Sequence, residues 1–275
     1  LVGSEMCIRD SSRPVQYERN NSIVDMGSNQ YPSIAWMRGA VTGKYNIKYP
    51  FHVSEYAHSM GNAVGNLVDY WNAIESTNFF CGAAIWDWVD QALYNYDPKT
   101  GDRYWAYGGD FNDKPNSGMF CMNGILLPDH SPKPAYYEVK KVYQNVSVKA
   151  IDLQNGKIEI FNKNYFTALD NYKLVWSLYE DGKKIDENEA SLEVCKSIGP
   201  RAKAICHLPY NYGNLKTESE YFVKVQFVLL RDMPWAKAGF VQMEEQLAVK
   251  TAGEKPSIKK LTATAEKPEI NETGN

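Results

Sequence analysis

Apolar and polar positions follow two different rhythms along this chain, and the rhythm changes near residue 146. Before that point, short apolar runs end abruptly on acids. RPVQYE (13–18) closes on Glu18, FHVSE (51–55) closes on Glu55, and FFCGAAIW (79–86) runs straight into Asp87. Between 62 and 76, Val64, Leu67, Val68, Trp71 and Ile74 recur three or four residues apart, the stripe of an amphipathic helix, with Asn62 as its predicted N-cap. The unbroken apolar run at 79–86 predicts a strand buried on both faces. Strand, helix and strand over 51–86 make a βαβ unit, whose strands run parallel.

After residue 146 the period drops to two. SVKAIDL, KIEIFNK, YKLVWSLYE and EYFVKVQFVLL alternate inward and outward positions, separated by the turn signals QNG, LDN and EDGKK. No helical stripe intervenes, which predicts an antiparallel β-sandwich of about a hundred residues. From 251 onward the chain is polar and rich in Lys, Glu and Thr, the composition of a linker. The opening LVGSEMCIRDSS has neither periodicity nor the layout of a signal peptide and reads as a non-native leader. The predicted organisation is thus a leader over 1–11, an α/β domain over 12–145, a sandwich over 146–250 and a linker over 251–275.

Parallel strands place their C-terminal ends on one face, where catalytic groups of parallel barrels collect. Glu55 ends one predicted strand; Trp86, Asp87, Trp88 and Asp90 follow another; Glu18 ends a third. A lone strand-end glutamate is more often half of a salt bridge than a catalyst. The neighbours of Glu55 shift that balance: His58 and Met60 follow within a turn, and Gly61-Asn62 lets the backbone approach a ligand closely. A carboxylate facing tryptophan suits glycoside chemistry, which needs a second carboxyl about 5–9.5 Å away. Glu18, Asp87 and Asp90 are the local candidates, and spacing does not choose among them.

Charge and composition narrow the class. A formal net charge of −3 offers no field to hold nucleic acid or an anionic membrane. Seven Trp and nineteen Tyr are mostly core material, but flat rings also stack on the apolar faces of sugars. The five cysteines show no CxxC spacing and the four histidines are scattered, which argues against a zinc site. Only Cys195 and Cys206 have a separation at which they could face each other across a hairpin. No apolar run reaches the length of a membrane span.

RPVQYE, SEYAHSMGN, IWDWVDQ, YGGDFND, FCMNGILLPD and PAYYEVKKVYQ occur in that order at close intervals. Together they resemble the second half of the catalytic barrel of the multidomain bacterial β-galactosidases of glycoside hydrolase family 2. The resemblance is strong over 12–145 and weaker over 146–250, where such enzymes carry an immunoglobulin-like sandwich. It implies an α/β plus all-β chain: a partial (β/α)8 TIM barrel followed by that sandwich.

By this resemblance, Glu55 is the nucleophile of retaining β-galactoside hydrolysis and Tyr31 supports it. His58 and Asn123 contact the sugar, Trp86 lines its pocket, and the Phe120 carbonyl and Asn123 hold a sodium ion. Magnesium is a further implied cofactor, with ligands upstream of this chain. The implied partner is a terminal β-galactoside, without nucleic acid or membrane, in a homo-oligomer of the whole protein, in the cytoplasm or periplasm of a bacterium. Three departures stand out: Asn29-Gln30 in place of the usual Pro-Met before the tyrosine, His130 for a more usual arginine, and Ser117 for an aspartate. The family's acid/base glutamate belongs to an Asn-Glu pair on an earlier strand. The only such pairs here are Asn188-Glu189 and Asn271-Glu272, outside the barrel segment. The resemblance therefore implies that this chain lacks the acid/base and has no activity alone. A β-glucuronidase or β-mannosidase of the same family, or a non-catalytic sugar-binding module, is the alternative; YAHSMGN favours galactose.

Overall fold

The computed structural model describes residues 14–18, 24–190 and 192–250, so the leader and linker readings lie outside the described residues. The chain divides after Tyr143 into two compact units.

In the first unit the elements are β1 (Gly27–Gln30), α1 (Ile34–Val41), β2 (Phe51–Tyr56), α2 (Leu67–Glu75), β3 (Phe80–Ile85), β4 (Leu93–Tyr96), β5 (Arg103–Ala106) and α3 (Pro134–Val142). Strands β1, β2 and β3 form a parallel sheet in that order, with Gly27 opposite Phe51 and Phe51 opposite Phe80. Helix α1 starts where the Ser33 hydroxyl accepts from the Trp36 N–H at 3.1 Å, a side-chain cap on an otherwise unpaired donor. Phe51, Val53 and Tyr56 of β2 are fully buried and pack with Met37, Leu67, Ile74, Ile125 and Val139. Burying each such large apolar side chain contributes about 1.5–3 kcal/mol, which is what presses the helices onto the sheet.

Four sequence readings need correction in this unit. The run at 13–18 is not a strand: Gln16 makes a single parallel bridge to Met26, and Glu18 lies in a turn. Proline at 14 gives the ladder no donor, and the Val15 N–H is taken by the Asp25 side chain at 2.9 Å. Strand β1, by contrast, forms from GSNQ, which has no apolar alternation. Its start is tightly packed: a β-carbon at Gly27 would lie 2.6 Å from the Lys48 carbonyl, just before β2, and 2.7 Å from the Phe51 ring. Helix α2 begins at Leu67 rather than after Asn62, since Gly61, Val64 and Asn66 all hold positive φ (69°, 74° and 61°), which a right-handed helix cannot contain. Val68, counted into its apolar stripe, is 50% exposed. Strand β3 is not buried on both faces: Cys81 and Ala84 are exposed, and β2 is its one partner among the described strands.

The second unit contains β6 (Val146–Asp152), β7 (Lys157–Asn162), β8 (Tyr172–Glu180), β9 (Lys183–Glu189), the short α4 (Leu192–Lys196), β10 (Lys203–His207), β11 (Tyr221–Leu229) and β12 (Val241–Lys250). They make two antiparallel sheets, ordered β10-β7-β6 and β12-β11-β8-β9. Inward side chains of both sheets, among them Val148, Ile158, Ile160, Trp176, Val223 and Phe227, share one core. Strands β6, β7, β8 and β11 fall where the period of two predicts them. Asp181 and Gly182 turn β8 into β9 with φ of 47° and 80°, the positive pair of a two-residue hairpin. The alternation does not reveal β9, because all seven of its side chains are exposed and it is the charged edge of its sheet. Cys195 and Cys206 are free and buried in the common core, one on α4 and one on β10, so they do not face each other across a hairpin.

Candidate active site

The parallel sheet gathers the predicted chemistry at its C-terminal end. Gln30 of β1 stands opposite Glu55 of β2, and Tyr56 stands opposite Ile85 of β3, so Tyr31, Glu55 and Trp86 emerge side by side. The backbone fixes this: the Tyr31 N–H donates to the Glu55 carbonyl at 2.7 Å, and the Trp86 N–H donates to the Tyr56 carbonyl at 3.1 Å. Tyr31 holds a positive φ of 47°, which turns the chain out of the strand at this point.

The Glu55 carboxylate is not loose. The Gln30 amide donates to its Oε1 at 2.7 Å, across the strand pair. The Tyr31 phenol sits near this carboxylate; burial first, and then Glu55, push it well above its ordinary range. The His58 ring lies between two neighbours, 6.2 Å from Tyr31 and 6.1 Å from Phe120, centroid to centroid. Ser59 ties that loop to the next strand end by donating its N–H to the Trp86 carbonyl at 2.7 Å.

Trp86, Phe120 and Asn123 line one cavity of about 430 Å³ together with Gln91, Asp113 and Asn116. Glu55, Tyr31 and His58 are not among its lining residues; they occupy the adjoining strand end, joined to it through the His58–Phe120 ring contact. Trp86, which lines this cavity, is 38% exposed. The loop carrying Asn123 is clasped to the loop after Trp86. The Asp87 N–H donates to the Asn123 carbonyl at 2.6 Å and the Ile125 N–H returns to the Asp87 carbonyl at 3.0 Å. Gly124 sits so close that a methyl there would lie 2.3 Å from the Val89 carbonyl carbon and the Asp90 nitrogen.

The three carboxylates weighed as partners of Glu55 are each occupied. Asp87 accepts from the Trp88 N–H at 2.6 Å and from the Gln91 amide at 2.9 Å. Asp90 is buried, accepts from the Gly124 N–H at 2.8 Å and pairs with Lys133 at 2.5 Å. Glu18 accepts from the hydroxyls of Ser54 and Ser28. Asp87 and Asp90 brace the backbone around the site, and Glu18 joins two serine side chains.

Asn123 is 4% exposed; its Nδ2 donates to the Phe120 carbonyl at 3.1 Å, while its Oδ1 has no hydrogen-bond partner. An unpartnered buried amide oxygen beside a backbone carbonyl is a donor set that fits a hard, oxygen-seeking cation. Among the described residues, no group of three or more His, Cys, Asp or Glu side chains gathers as a metal site. No helix of the described residues is long and apolar enough to cross a membrane.

Residues 6–148, just over half of the chain, match the TIM barrel domain of the glycosyl hydrolases family 2. The chain belongs to glycosyl hydrolase family 2. Residues 158–250 match domain 4 of β-galactosidase. Among relatives of this family, a β-galactosidase of Psychromonas ingrahamii is 34% identical over 284 residues, covering 97% of this chain and 27% of that protein. A β-galactosidase of Priestia megaterium is 35% identical over 255 residues, covering 91% and 24%. The β-galactosidase 2 of Enterobacter cloacae is 36% identical over 244 residues, covering 84% and 23%. The chain thus spans about a quarter of the length of the curated relatives it matches.

Sequence reasoning passed over Gln30, recording it only as a departure from the usual Pro-Met. It also missed the bracing roles of Ser54, Gln91 and Lys133. The strand order would have exposed Gln30, because residues at the ends of neighbouring parallel strands share a rim.

Proposed function

We propose that this chain carries part of the active site of a retaining β-galactosidase, with Glu55 as the nucleophile. The observation that carries this reading is the Glu55 carboxylate, presented at the C-terminal end of a parallel sheet and held by the Gln30 amide, with Tyr31 close by and Trp86 at the end of the neighbouring strand. The names of the family 2 relatives support galactose over glucuronic acid or mannose. On this reading the first unit is the later part of a (β/α)8 barrel and the second is an immunoglobulin-like sandwich.

The chemistry follows from those groups. A Glu55 oxygen bonds to the anomeric carbon of a terminal β-galactoside while the glycosidic C–O bond breaks. The departing oxygen keeps the electron pair and takes a proton from a general acid. Water, deprotonated by the same group, then attacks the anomeric carbon, frees Glu55 and releases the sugar with its configuration retained. Tyr31, kept as a hydroxyl, steadies the carboxylate; Trp86 stacks on the sugar and His58 reaches its hydroxyls. Phe120, through its carbonyl, and Asn123, through Oδ1, would hold a sodium ion, which supplies positive charge for a sugar hydroxyl. The acid/base glutamate is assigned to the part of the protein outside this chain, because Glu18, Asp87 and Asp90 all have structural work and neither Asn-Glu pair lies in the first unit.

The test uses the complete protein encoded by the parent gene. An activated 2-deoxy-2-fluoro-β-galactoside forms a slowly hydrolysed ester with the nucleophile, and peptide mass spectrometry locates it. Label on Glu55, with turnover of Glu55→Gln lowered by orders of magnitude in a folded protein, is the expected result. Label on another carboxylate, or near-normal turnover of the glutamine variant, rejects the assignment.

A further inference from the structure

We infer that Gln30 is a positioning residue for Glu55, holding the attacking carboxylate through its amide N–H. The inference rests on the reading of Glu55 as nucleophile and adds a residue to it. The register of β1 and β2 shifts by one residue between Asn29 and Gln30, so that Gln30, and not the following Tyr31, stands opposite Glu55. A bulge of this kind interrupts the ladder and re-aims a side chain, and here it delivers the Gln30 amide to Glu55 Oε1 at 2.7 Å. Strand pairing alone needs no such contact, since the backbone at this point is already tied by the Tyr31 N–H to the Glu55 carbonyl at 2.7 Å.

The contact has the right chemistry for orientation. Glutamate is among the side chains with the most rotamer freedom, and Glu55 sits at a strand end, half-buried. A nucleophile free to turn spends much of its time off the line of attack, and fixing it is how a folded site turns an encounter into a near-unimolecular step. Gln30 is neutral, so it donates without withdrawing the negative charge that attacks, as a lysine or arginine in its place would. It holds the carboxylate from the β1 side.

Two substitutions separate positioning from mere filling of space. Gln30→Met keeps the length and removes the N–H; the resemblance to family 2 gives methionine as the usual residue here, so the fold accommodates it. Gln30→Glu keeps the shape and replaces the donor with a like charge. If Gln30 only fills space, the methionine variant, which keeps the length, works at the wild-type rate, whereas a glutamate there repels Glu55 on either reading. If it positions Glu55, activity at neutral pH falls in the order Gln, Met, Glu. A hydrogen bond to a charged group sets the expected loss of kcat for Gln30→Met at about ten- to a hundredfold. KM stays within about twofold, because the lost contact acts on the attacking group and not on the bound sugar. The rate of labelling by the 2-fluoro galactoside falls in parallel.

Outcomes are distinguishable. If the wild-type complete protein is not labelled at Glu55, the nucleophile assignment fails. If it is labelled there, but Gln30→Met labels at the wild-type rate or Gln30→Glu is the faster variant, the positioning role of Gln30 fails by itself.

Discussion

Tyr56 and Tyr143 join the end of β2 to the end of α3 through their hydroxyls, 2.6 Å apart, and Trp71 of α2 donates its indole N–H to Tyr56 at 2.8 Å. Tyr56 is fully buried and immediately follows Glu55, so this cluster anchors the backbone on the opposite side from the carboxylate. Burial, and then the hydrogen bond to Tyr143, push its phenol well above the ordinary range. Tyr56→Phe removes one oxygen and strands two half-buried partners, Tyr143 and Trp71, which costs about 1–3 kcal/mol. Urea unfolding of the variant is expected to shift its midpoint down with the slope unchanged. A stability equal to wild type would mean that water replaces the hydroxyl.

Lys133 and Asp90 form the other buried brace. The lysine also donates to the Gly124 carbonyl at 2.9 Å, so one ammonium holds both loops beside the candidate cavity. Lys133→Met leaves Asp90 without its cation in a buried place, at about 3–5 kcal/mol. The double variant Lys133→Met, Asp90→Leu is expected to regain part of the loss, because the uncompensated charge has gone. A thermal melt of the three proteins checks the order wild type, double variant, single variant.

The thiols report on packing in the second unit. Burial, and then the nearby Cys206, push the Cys195 thiol up to about 12. In the unfolded chain it ionises near its ordinary value, so between about 9 and 12 unfolding releases a proton and the folded state loses stability as pH rises. Below that window this contribution does not change with pH. Iodoacetamide at pH 8 is expected to modify Cys81 and Cys121 in the native protein, and Cys195 and Cys206 only after denaturation. Peptide mass spectrometry reads the pattern, and early modification of Cys195 would mean that its end of the core opens.

The 275-residue chain by itself is expected to show no appreciable turnover of a chromogenic β-galactoside. A departing alkoxide needs a proton, and general acid catalysis is worth about 10²–10⁴-fold. Of the carboxylates near Glu55 weighed for that role, each already holds backbone or side-chain donors. Turnover like that of an intact enzyme, in a preparation free of host galactosidase, would show that one of them doubles as the acid.

What the sequence makes legible is whatever depends on burial with a regular period. Strands β2, β8 and β11 each bury alternate residues or a solid apolar block, and that signature survives in one dimension. Strand β1 has no such signature, because Gly27 and Ser28 are buried for lack of bulk and not for hydrophobicity. Strand β9 is invisible for the opposite reason, having nothing to bury. At the candidate site the motif singles out Glu55 and Trp86, but Gln30 reaches Glu55 only through a strand register that no local pattern encodes. The same holds for Lys133, whose role depends on a loop meeting that brings it to Asp90.

Gly124 carries a consequence for anyone scanning this protein by saturation mutagenesis. Every other amino acid there would drive a β-carbon into the Val89–Asp90 peptide, whatever its charge or polarity. Its row in such a scan would be uniformly dead, beside the row for Asn123, and a ranking by tolerance alone would promote it to the catalytic set. The two rows differ in kind. If Asn123 holds the cation as proposed, conservative replacements there are expected to keep the fold and alter what it can hold, whereas those at Gly124 prevent two loops from crossing. Pairing the scan with an abundance readout separates them: variants at 124 disappear from the cell, and variants at 123 persist without activity.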